Sequence, residues 1–126
     1  MIFKQRINAS NFTIYAIKMY ENPDKMTDKE VNKDLKRFSY IGKLLRRYYS
    51  GKTIQLQLLL NHFVILHNLF GPVPMARLLY FYLDEAYHPA IKTILQALCI
   101  EHGRIPEVAI SRVKIDKELL QQLGEL

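Results

Sequence analysis

The clearest pattern along the chain is a two-faced helix over residues 27–50. Thr27 and Glu30 have the T-x-x-E spacing of a capping box, and Gly51 is suited to the position just after a helix. The apolar positions fall within an arc of about 120°: Val31, Leu35, Phe38, Ile41, Leu45 and Tyr49. Basic residues and one tyrosine occupy about 80° of the opposite side: Lys29, Lys33, Lys36, Tyr40, Lys43 and Arg47. The pattern predicts a surface helix with one buried side.

Two further helices are predicted on either side of it. Asn11 is a suitable N-cap for a short helix over residues 12–20, which Pro23 then interrupts. Thr53 opens a third helix that ends at Gly71 and is apolar on nearly every side. A helix of that kind is typical of the centre of a bundle, so we expect this one to be central.

The remainder of the chain predicts two more helices and a different C-terminal region. Residues 75–87 form the fourth helix, His88-Pro89 separates it from the fifth, and Gly103 ends the fifth. Alternating β-branched residues over 104–115 predict an extended arm, after which Asp116 caps a short terminal helix. The expected fold is an all-α, compact bundle of about five helices in one domain, residues 1–126. Residues 103–126 form its extended arm and terminal helix.

Composition narrows the class of protein. A chain of 126 residues with 49% hydrophobic and 24% charged residues has the length and balance of one globular domain. A single cysteine excludes an internal disulfide framework and fits a reducing compartment. The first residues do not resemble a secretory signal, and no apolar stretch is long enough for a membrane span. We therefore expect a soluble intracellular protein with no membrane association.

The positive charge is concentrated in one part of the chain. Residues 1–52 contain twelve Lys or Arg and five Asp or Glu, whereas residues 53–126 contain six and seven. Such a local surplus favours an anionic partner, either nucleic acid or an acidic protein surface. The candidate polyanion-binding residues are Lys36, Arg37, Lys43, Arg46, Arg47 and Lys52. A solvated helix face explains several of these lysines equally well.

The terminal helix supplies a second candidate site. Its leucines form a small apolar edge that predicts contact with a partner: Leu119, Leu120, Leu123 and Leu126. A helix this short needs packing to persist, so the same edge is also consistent with folding back onto the bundle. The sequence leaves both alternatives open.

Catalytic and metal-binding patterns are absent from the sequence. His62 and His67 are five residues apart, which places them on different sides of a helix, and no HExxH, CxxC or GxGxxG motif occurs. Cys99 has no base near it in sequence and is expected to be a small buried residue. Asn61 and Asn68 share one helix face. They are either buried amides that fix the register of the helix or part of a polar patch at a binding surface. We expect no enzyme, no metal, no cofactor and no small-molecule substrate.

Several runs occur in a characteristic order over residues 11 to about 83. They are NFTIYAIKMYENP, DLKRFSYIGKLLRRY, LLLNHFVILHNLFG and RLLYFYL. The strongest elements are Asn11-Phe12, Asp34-Leu35-Lys36-Arg37-Phe38 with Tyr40, Leu60-Asn61-His62 and Asn68-Leu69-Phe70-Gly71. In this order and spacing the chain resembles a family of small uncharacterised proteins encoded by tailed bacteriophages. The resemblance implies a phage protein made in the cytoplasm of an infected bacterium, with the virion as a further location.

The functional expectation combines these observations. The leading hypothesis is a non-catalytic phage accessory or adaptor protein that binds a larger protein assembly, either polymerase machinery or the virion. The alternative is a basic helical protein that binds nucleic acid without sequence specificity through the helix over residues 27–50.

Overall fold

The computed structural model describes residues 28–101, 105 and 110–126, and it describes only the backbone of residues 28–32, 34 and 35. Within these ranges it contains five α-helices and no β-strand. The helices are α1 (Asp28–Tyr49), α2 (Leu56–Phe70), α3 (Pro72–Tyr82), α4 (His88–Ala97) and α5 (Lys117–Gly124). Two single 3₁₀ turns lie at Glu85–Tyr87 and Ile110–Arg112. The all-α prediction is confirmed. The predicted helix over 12–20 and the predicted stop at Gly103 lie outside the described residues.

Helix α1 has the two faces that the sequence predicts. Phe38, Ile41 and Leu45 are buried, whereas Lys36 and Lys43 are exposed. The helix ends as predicted, because Gly51 adopts φ +79° just beyond it. The N–H of Lys52 donates to the carbonyl of Arg47 at 3.0 Å, and the N–H of Gly51 donates to that of Tyr48 at 3.0 Å. These bonds satisfy two carbonyls that the last turn would otherwise leave open.

Tyr49 corrects one detail of the predicted core face. The helical periodicity places it with the buried residues, yet its side chain is exposed and Tyr48 packs against the core instead. The Tyr49 ring stacks on Tyr87 with centroids 6.0 Å apart. In the last turn of α1, Tyr48 therefore faces the core in place of Tyr49.

The predicted position of the third helix is wrong. Helix α2 begins at Leu56 rather than Thr53, and only one side of it is buried: Leu59, Phe63, Leu66 and Phe70. Helices α3 and α4 have larger buried shares, because six of the eleven residues of α3 and six of the ten residues of α4 are buried. Because apolar residues lie on nearly every side of α2, they do not by themselves specify which side faces the bundle.

Helices α3 and α4 both end earlier than predicted. The Asp84 carboxylate accepts a hydrogen bond from the N–H of Ala86 at 3.1 Å, which caps a separate 3₁₀ turn after α3. Helix α4 ends at Ala97, where Cys99 takes a left-handed φ of +55° and Ile100 N–H donates to the Leu95 carbonyl at 2.9 Å. Cys99 is exposed, so the expectation of a buried cysteine is also wrong.

The C-terminal region packs onto α4 of the same chain. The Lys92 ammonium donates to the carbonyls of Ile110 and Val113 at 3.0 and 2.8 Å, and Asp116 N–H donates to the Thr93 hydroxyl at 2.9 Å. Residues 110–112 form a 3₁₀ turn, so the predicted extended arm is interrupted there. Leu119 of α5 is fully buried. Among residues 110–126, the alternative of folding back is the one that the structure contains.

Candidate docking surface on helices α1 and α2

Helix α2 exposes a row of large aliphatic side chains. Leu58, Ile65 and Leu69 are 43%, 38% and 42% exposed. At about 100° per residue they lie within about 40° of one another, and we call them the apolar stripe. The helix LQLLLNHFVILHNLF contains no Asp, Glu, Lys or Arg. The stripe therefore lies on a helix surface without full charges.

The seam between α1 and α2 lies beside the apolar stripe. The Arg37 guanidinium donates to His62 Nδ1 at 3.2 Å, and the His62 ring stacks on Tyr40 at 6.0 Å with an interplanar angle of 14°. Burial, followed by the nearby Arg37 charge, lowers the pKa of His62 below its usual value. His62 is consequently a neutral, flat contact surface at neutral pH, placed between the tyrosine of α1 and the aliphatic groups of α2.

The exposed cations of α1 lie on the far side of Tyr40. Tyr40 is 53% exposed, and the Lys43 ammonium lies 5.7 Å from the centroid of its ring. Lys36 and Arg47 are exposed on the same face, and we call Lys36, Lys43 and Arg47 the basic row. The contacts of Arg37 and Tyr40 with His62 make α1 and α2 neighbours. Because a short connection over residues 50–55 favours antiparallel helices, we expect the row and the stripe to run side by side.

The six predicted polyanion-binding residues do not form one set. Lys36, Lys43 and Arg47 form the basic row, but Arg37 is half-buried and donates to His62. Arg46 lies about 120° around α1 from Tyr40. It is near Tyr87, where its charge partly offsets the rise in the Tyr87 pKa that burial and Asp84 cause. Lys52 lies beyond the end of α1, in the turn before α2. Three of the six share a face with Tyr40.

The model of one protein family matches the chain over residues 1–126. The chain belongs to the DUF7207 family. This is a family of unknown function, so the match assigns no activity or partner. No curated protein and no solved structure matches the chain. The expectation that the chain belongs to an uncharacterised family is therefore confirmed.

The terminal leucines of this DUF7207 chain are divided between the core and the surface. Leu119 is fully buried and Leu123 packs against the core, whereas Leu120 and Leu126 are 42% and 65% exposed. Only two of the four predicted partner-binding residues are therefore accessible. The tail thus exposes two leucines, against three aligned aliphatic residues in the stripe on α2.

Helix α5 is attached to α1 by a polar anchor centred on Asp116. The Tyr48 and Tyr49 hydroxyls donate to the Asp116 carboxylate at 3.4 and 3.1 Å, and Leu119 N–H donates to it at 3.0 Å. Burial and the adjacent carboxylate raise the pKa of Tyr48 to about 12 and raise that of Tyr49 as well. These bonds cap α5 and join it to the C-terminal end of α1.

The amides predicted to be buried or to form a surface patch are exposed. Asn61 and Asn68 both face solvent beside the apolar stripe, and Asn61 Oδ1 accepts from Gln57 Nε2 at 3.0 Å. The buried interpretation is wrong. The seven-residue spacing of these two amides is the one sequence signal that this side of α2 is accessible. It does not predict that Leu58, Ile65 and Leu69 are exposed.

The histidines and acidic residues of the described segments do not converge. His88 is buried, and its Nε2 donates to the Tyr80 carbonyl at 2.9 Å, which accounts for the ring by packing and one hydrogen bond. Across residues 28–101, 105 and 110–126, no three His, Cys, Asp or Glu side chains are grouped as metal ligands would be. No helix in those same ranges has the length and hydropathy to cross a membrane.

Proposed function

We propose that the chain is a non-catalytic adaptor that binds a partner protein through the apolar stripe on α2. The observation that carries this proposal is the alignment of Leu58, Ile65 and Leu69, each more than one third exposed, on a helix without charged residues. Single exposed aliphatic residues are common, whereas several aligned on one helix face are more typical of interaction sites. Its seven- and four-residue spacing fits contact with a helix or groove of another protein.

The biological setting that we propose is a bacteriophage infection. The runs that resemble proteins of tailed bacteriophages include DLKRFSYIGKLLRRY and LLLNHFVILHNLFG, which lie on α1 and α2. The proposed protein is an accessory factor in the cytoplasm of the infected bacterium, and its partner belongs to polymerase machinery or to the virion. The docking surface then lies on the same two helices that carry the resemblance.

Site-specific photo-crosslinking in infected cells tests the adaptor function. A photoreactive amino acid replaces Ile65 in the stripe, and the matched control carries it at Leu126 on the tail edge, which is also exposed. We expect a protein adduct at position 65 that survives nuclease treatment, and none at position 126. An adduct confined to position 126 assigns binding to the tail instead, and no protein adduct at position 65 refutes the proposal.

Substitution of the stripe gives a second readout of the same proposal. The pair Leu58→Asn and Leu69→Asn removes two aliphatic contacts from an exposed surface, so it weakens partner capture while the fold persists. Leu120→Asn is the matched control, because Leu120 is equally exposed on α5. Equal loss of capture in both variants contradicts a role specific to α2.

A second candidate function is binding of single-stranded nucleic acid by the basic row. Tyr40 is 53% exposed with the Lys43 ammonium near its ring, an arrangement in which a base stacks and a phosphate is neutralised. Fluorescence anisotropy with an oligonucleotide measures this directly. We expect Lys36→Glu with Lys43→Glu to reduce the slope of log K against log salt by about 1.4, and Tyr40→Ala to weaken binding without changing that slope. Wild-type binding that is insensitive to salt excludes this function.

A further inference from the structure

We infer that the apolar stripe and the basic row together bind an acidic amphipathic helix of another protein. In this arrangement the apolar side of the partner helix lies on Leu58, Ile65 and Leu69, and its carboxylates face Lys36 and Lys43. The inference rests on the adaptor function proposed above and adds the chemical class of the partner. Three features of the α1–α2 face support it: the length of the stripe, the positive charge beside it, and the lack of complementary charge in a second copy or in residues 1–27 of this chain.

The length of the stripe matches a short helix. Leu58 and Leu69 are eleven positions apart, which corresponds to about 16 Å along α2. A partner helix of three turns covers that length and presents its own apolar residues at three- and four-residue spacing. The exposed Tyr40 and the adjacent His62 ring extend the contact area toward α1 without adding a charge at neutral pH.

The charge beside the stripe is of one sign. Residues 35–83 contain seven Lys or Arg and not one Asp or Glu, so no carboxylate of this segment neutralises the basic row. The Arg37–His62 pair sets the level at which α1 and α2 meet. Since the helices are antiparallel, Lys43 lies toward the Leu58 end of the stripe and Lys36 lies on the side of Ile65. Carboxylates along one edge of a partner helix would meet both lysines.

Charge also disfavours the two occupants that the chain itself offers. A second copy that paired through the same face in a two-fold dimer would oppose its own Lys36 and Lys43 to those of the first. Residues 1–27 contain four Lys or Arg and two acidic residues, and the segment 12–20 contains Lys18 without any acid. An acidic helix from a different protein is the occupant with complementary charge.

The aliphatic groups decide between an acidic helix and nucleic acid for this surface. Phosphates are complementary to the basic row, but a phosphate backbone does not cover three aliphatic side chains beside it. A helix with one apolar and one acidic side satisfies both halves of the surface. Nucleic acid therefore becomes an outcome of the test rather than part of the inference.

Selection from a random peptide library tests the inference even while the natural partner is unidentified. Displayed peptides of about 16 residues, long enough to span the stripe with one turn in excess, are selected on the full chain. Ile65→Asp serves for counter-selection, and Leu120→Asp is the control, which must retain binding. We expect enriched peptides with aliphatic or aromatic residues at three- and four-residue spacing and a net negative charge. Enrichment of neutral or basic peptides, or no enrichment over Ile65→Asp, overturns the inference.

A charge exchange then tests the contact with the lysines. Lys36→Glu with Lys43→Glu is expected to weaken the selected acidic peptide by about tenfold or more, and a peptide with its Glu residues changed to Lys is expected to restore binding. Lys52→Glu with Lys114→Glu alters net charge equally at exposed positions that belong to neither the basic row nor the stripe. Equal weakening by this control pair, or no restoration, overturns the inference.

The failure of the inference is distinguishable from that of the adaptor function. If position 65 cross-links to a protein segment without acidic residues, to a second copy or to residues 1–27 of this chain, the acidic-helix inference fails. The adaptor function survives in the first of these three cases, because a partner protein is still bound. A nuclease-sensitive adduct refutes both and leaves the nucleic-acid alternative.

Discussion

At the scale of single residues, backbone conformation at Cys99 is the clearest departure from what its side chain prefers. Cys99 ends α4 in the left-handed region with φ +55°, where glycine is the usual residue, and its side chain is exposed. Its N–H donates to the Gln96 carbonyl at 3.0 Å, so the hydrogen-bonding pattern of the helix end holds this conformation in place. The stability of the chain therefore includes a small strain at a position without a core role.

Cys99→Gly is expected to stabilise the chain by about 0.5–1 kcal/mol. The substitution relieves the left-handed strain of a residue with a β-carbon, and the greater freedom of glycine in the unfolded chain offsets part of the gain. Urea denaturation measures the change. Cys99→Ala is the matched control, since alanine removes the thiol but keeps the β-carbon, and an equal gain in both variants contradicts the backbone explanation.

His62 makes stability depend on pH in a defined direction. Because burial and Arg37 depress its pKa in the folded state, the unfolded chain binds more protons at this position than the folded chain. Its contribution is present above the unfolded value of about 6.5 and is lost as pH falls through the folded pKa. Lowering pH from about 7.5 to about 5.5 should thus destabilise the wild type more than His62→Gln. Parallel pH profiles in urea denaturation contradict this assignment.

At the scale of helices, α2 has one side buried in the core and another side exposed to solvent. Leu66 is fully buried, whereas Leu69, three residues later, is 42% exposed. The bundle therefore uses one side of α2 for cohesion and leaves the other side in solvent. Substitution by the same polar residue on each side separates these roles.

Leu66→Asn is expected to destabilise the chain by about 3 kcal/mol or more, and Leu69→Asn by less than about 0.5 kcal/mol. The first leaves a cavity and a buried amide in the core, and the second changes an exposed surface. Circular dichroism during thermal unfolding of the matched pair checks the difference. Similar losses in both variants contradict the orientation of α2 on which the docking surface depends.

The attachment of α5 to α1 depends on one carboxylate. Asp116 accepts hydrogen bonds from Leu119 N–H and from the Tyr48 and Tyr49 hydroxyls. Asp116→Ala removes the cap and leaves both hydroxyls without this acceptor, so we expect a loss of about 1–2 kcal/mol. Faster amide hydrogen exchange in α5 measures the local effect. Lys114→Ala, at an exposed position two residues earlier, is the control and should change neither quantity.

At the scale of the whole molecule, the C-terminal region belongs to the core of its own chain. Lys92 and Thr93 of α4 bind the backbone of residues 110–116, and Leu119 then enters the core. These contacts join positions about twenty residues apart along the chain, so they stabilise the tertiary arrangement rather than any single helix. The terminal leucines thus contribute unequally to stability.

Leu119→Ala is expected to destabilise the chain by about 2–4 kcal/mol, and Leu120→Ala by less than about 0.5 kcal/mol. The first residue is fully buried and the second is exposed on the adjacent position of the same helix. Denaturation midpoints that do not change with protein concentration show that the packing is within one chain. A concentration-dependent midpoint instead indicates that α5 packs on a second copy.

The sequence by itself determined the elements whose signals are local. Gly51 predicts the end of α1. The helical spacing of Phe38, Ile41 and Leu45, with lysines on the opposite side, predicts its orientation, because a two-faced helix specifies its buried side. Asp116 predicts the start of α5, because an N-cap side chain binds a backbone N–H within the next three residues. The all-α class follows from such signals together.

The tertiary structure alone decided how much of α2 is buried, where α4 ends and where the terminal leucines lie. Asn61 and Asn68 mark one accessible side of α2, but apolar residues occupy its other sides, so the exposure of Leu58, Ile65 and Leu69 depends on how much surface the neighbouring helices cover. The end of α4 at a non-glycine residue gives no sequence signal, and the hydrogen bond from Asp116 N–H to the Thr93 hydroxyl joins positions far apart in the chain. The candidate docking surface arises from these non-local contacts, because the packing of α1 and α3 against α2 leaves one side of this apolar helix in solvent beside the basic face of α1.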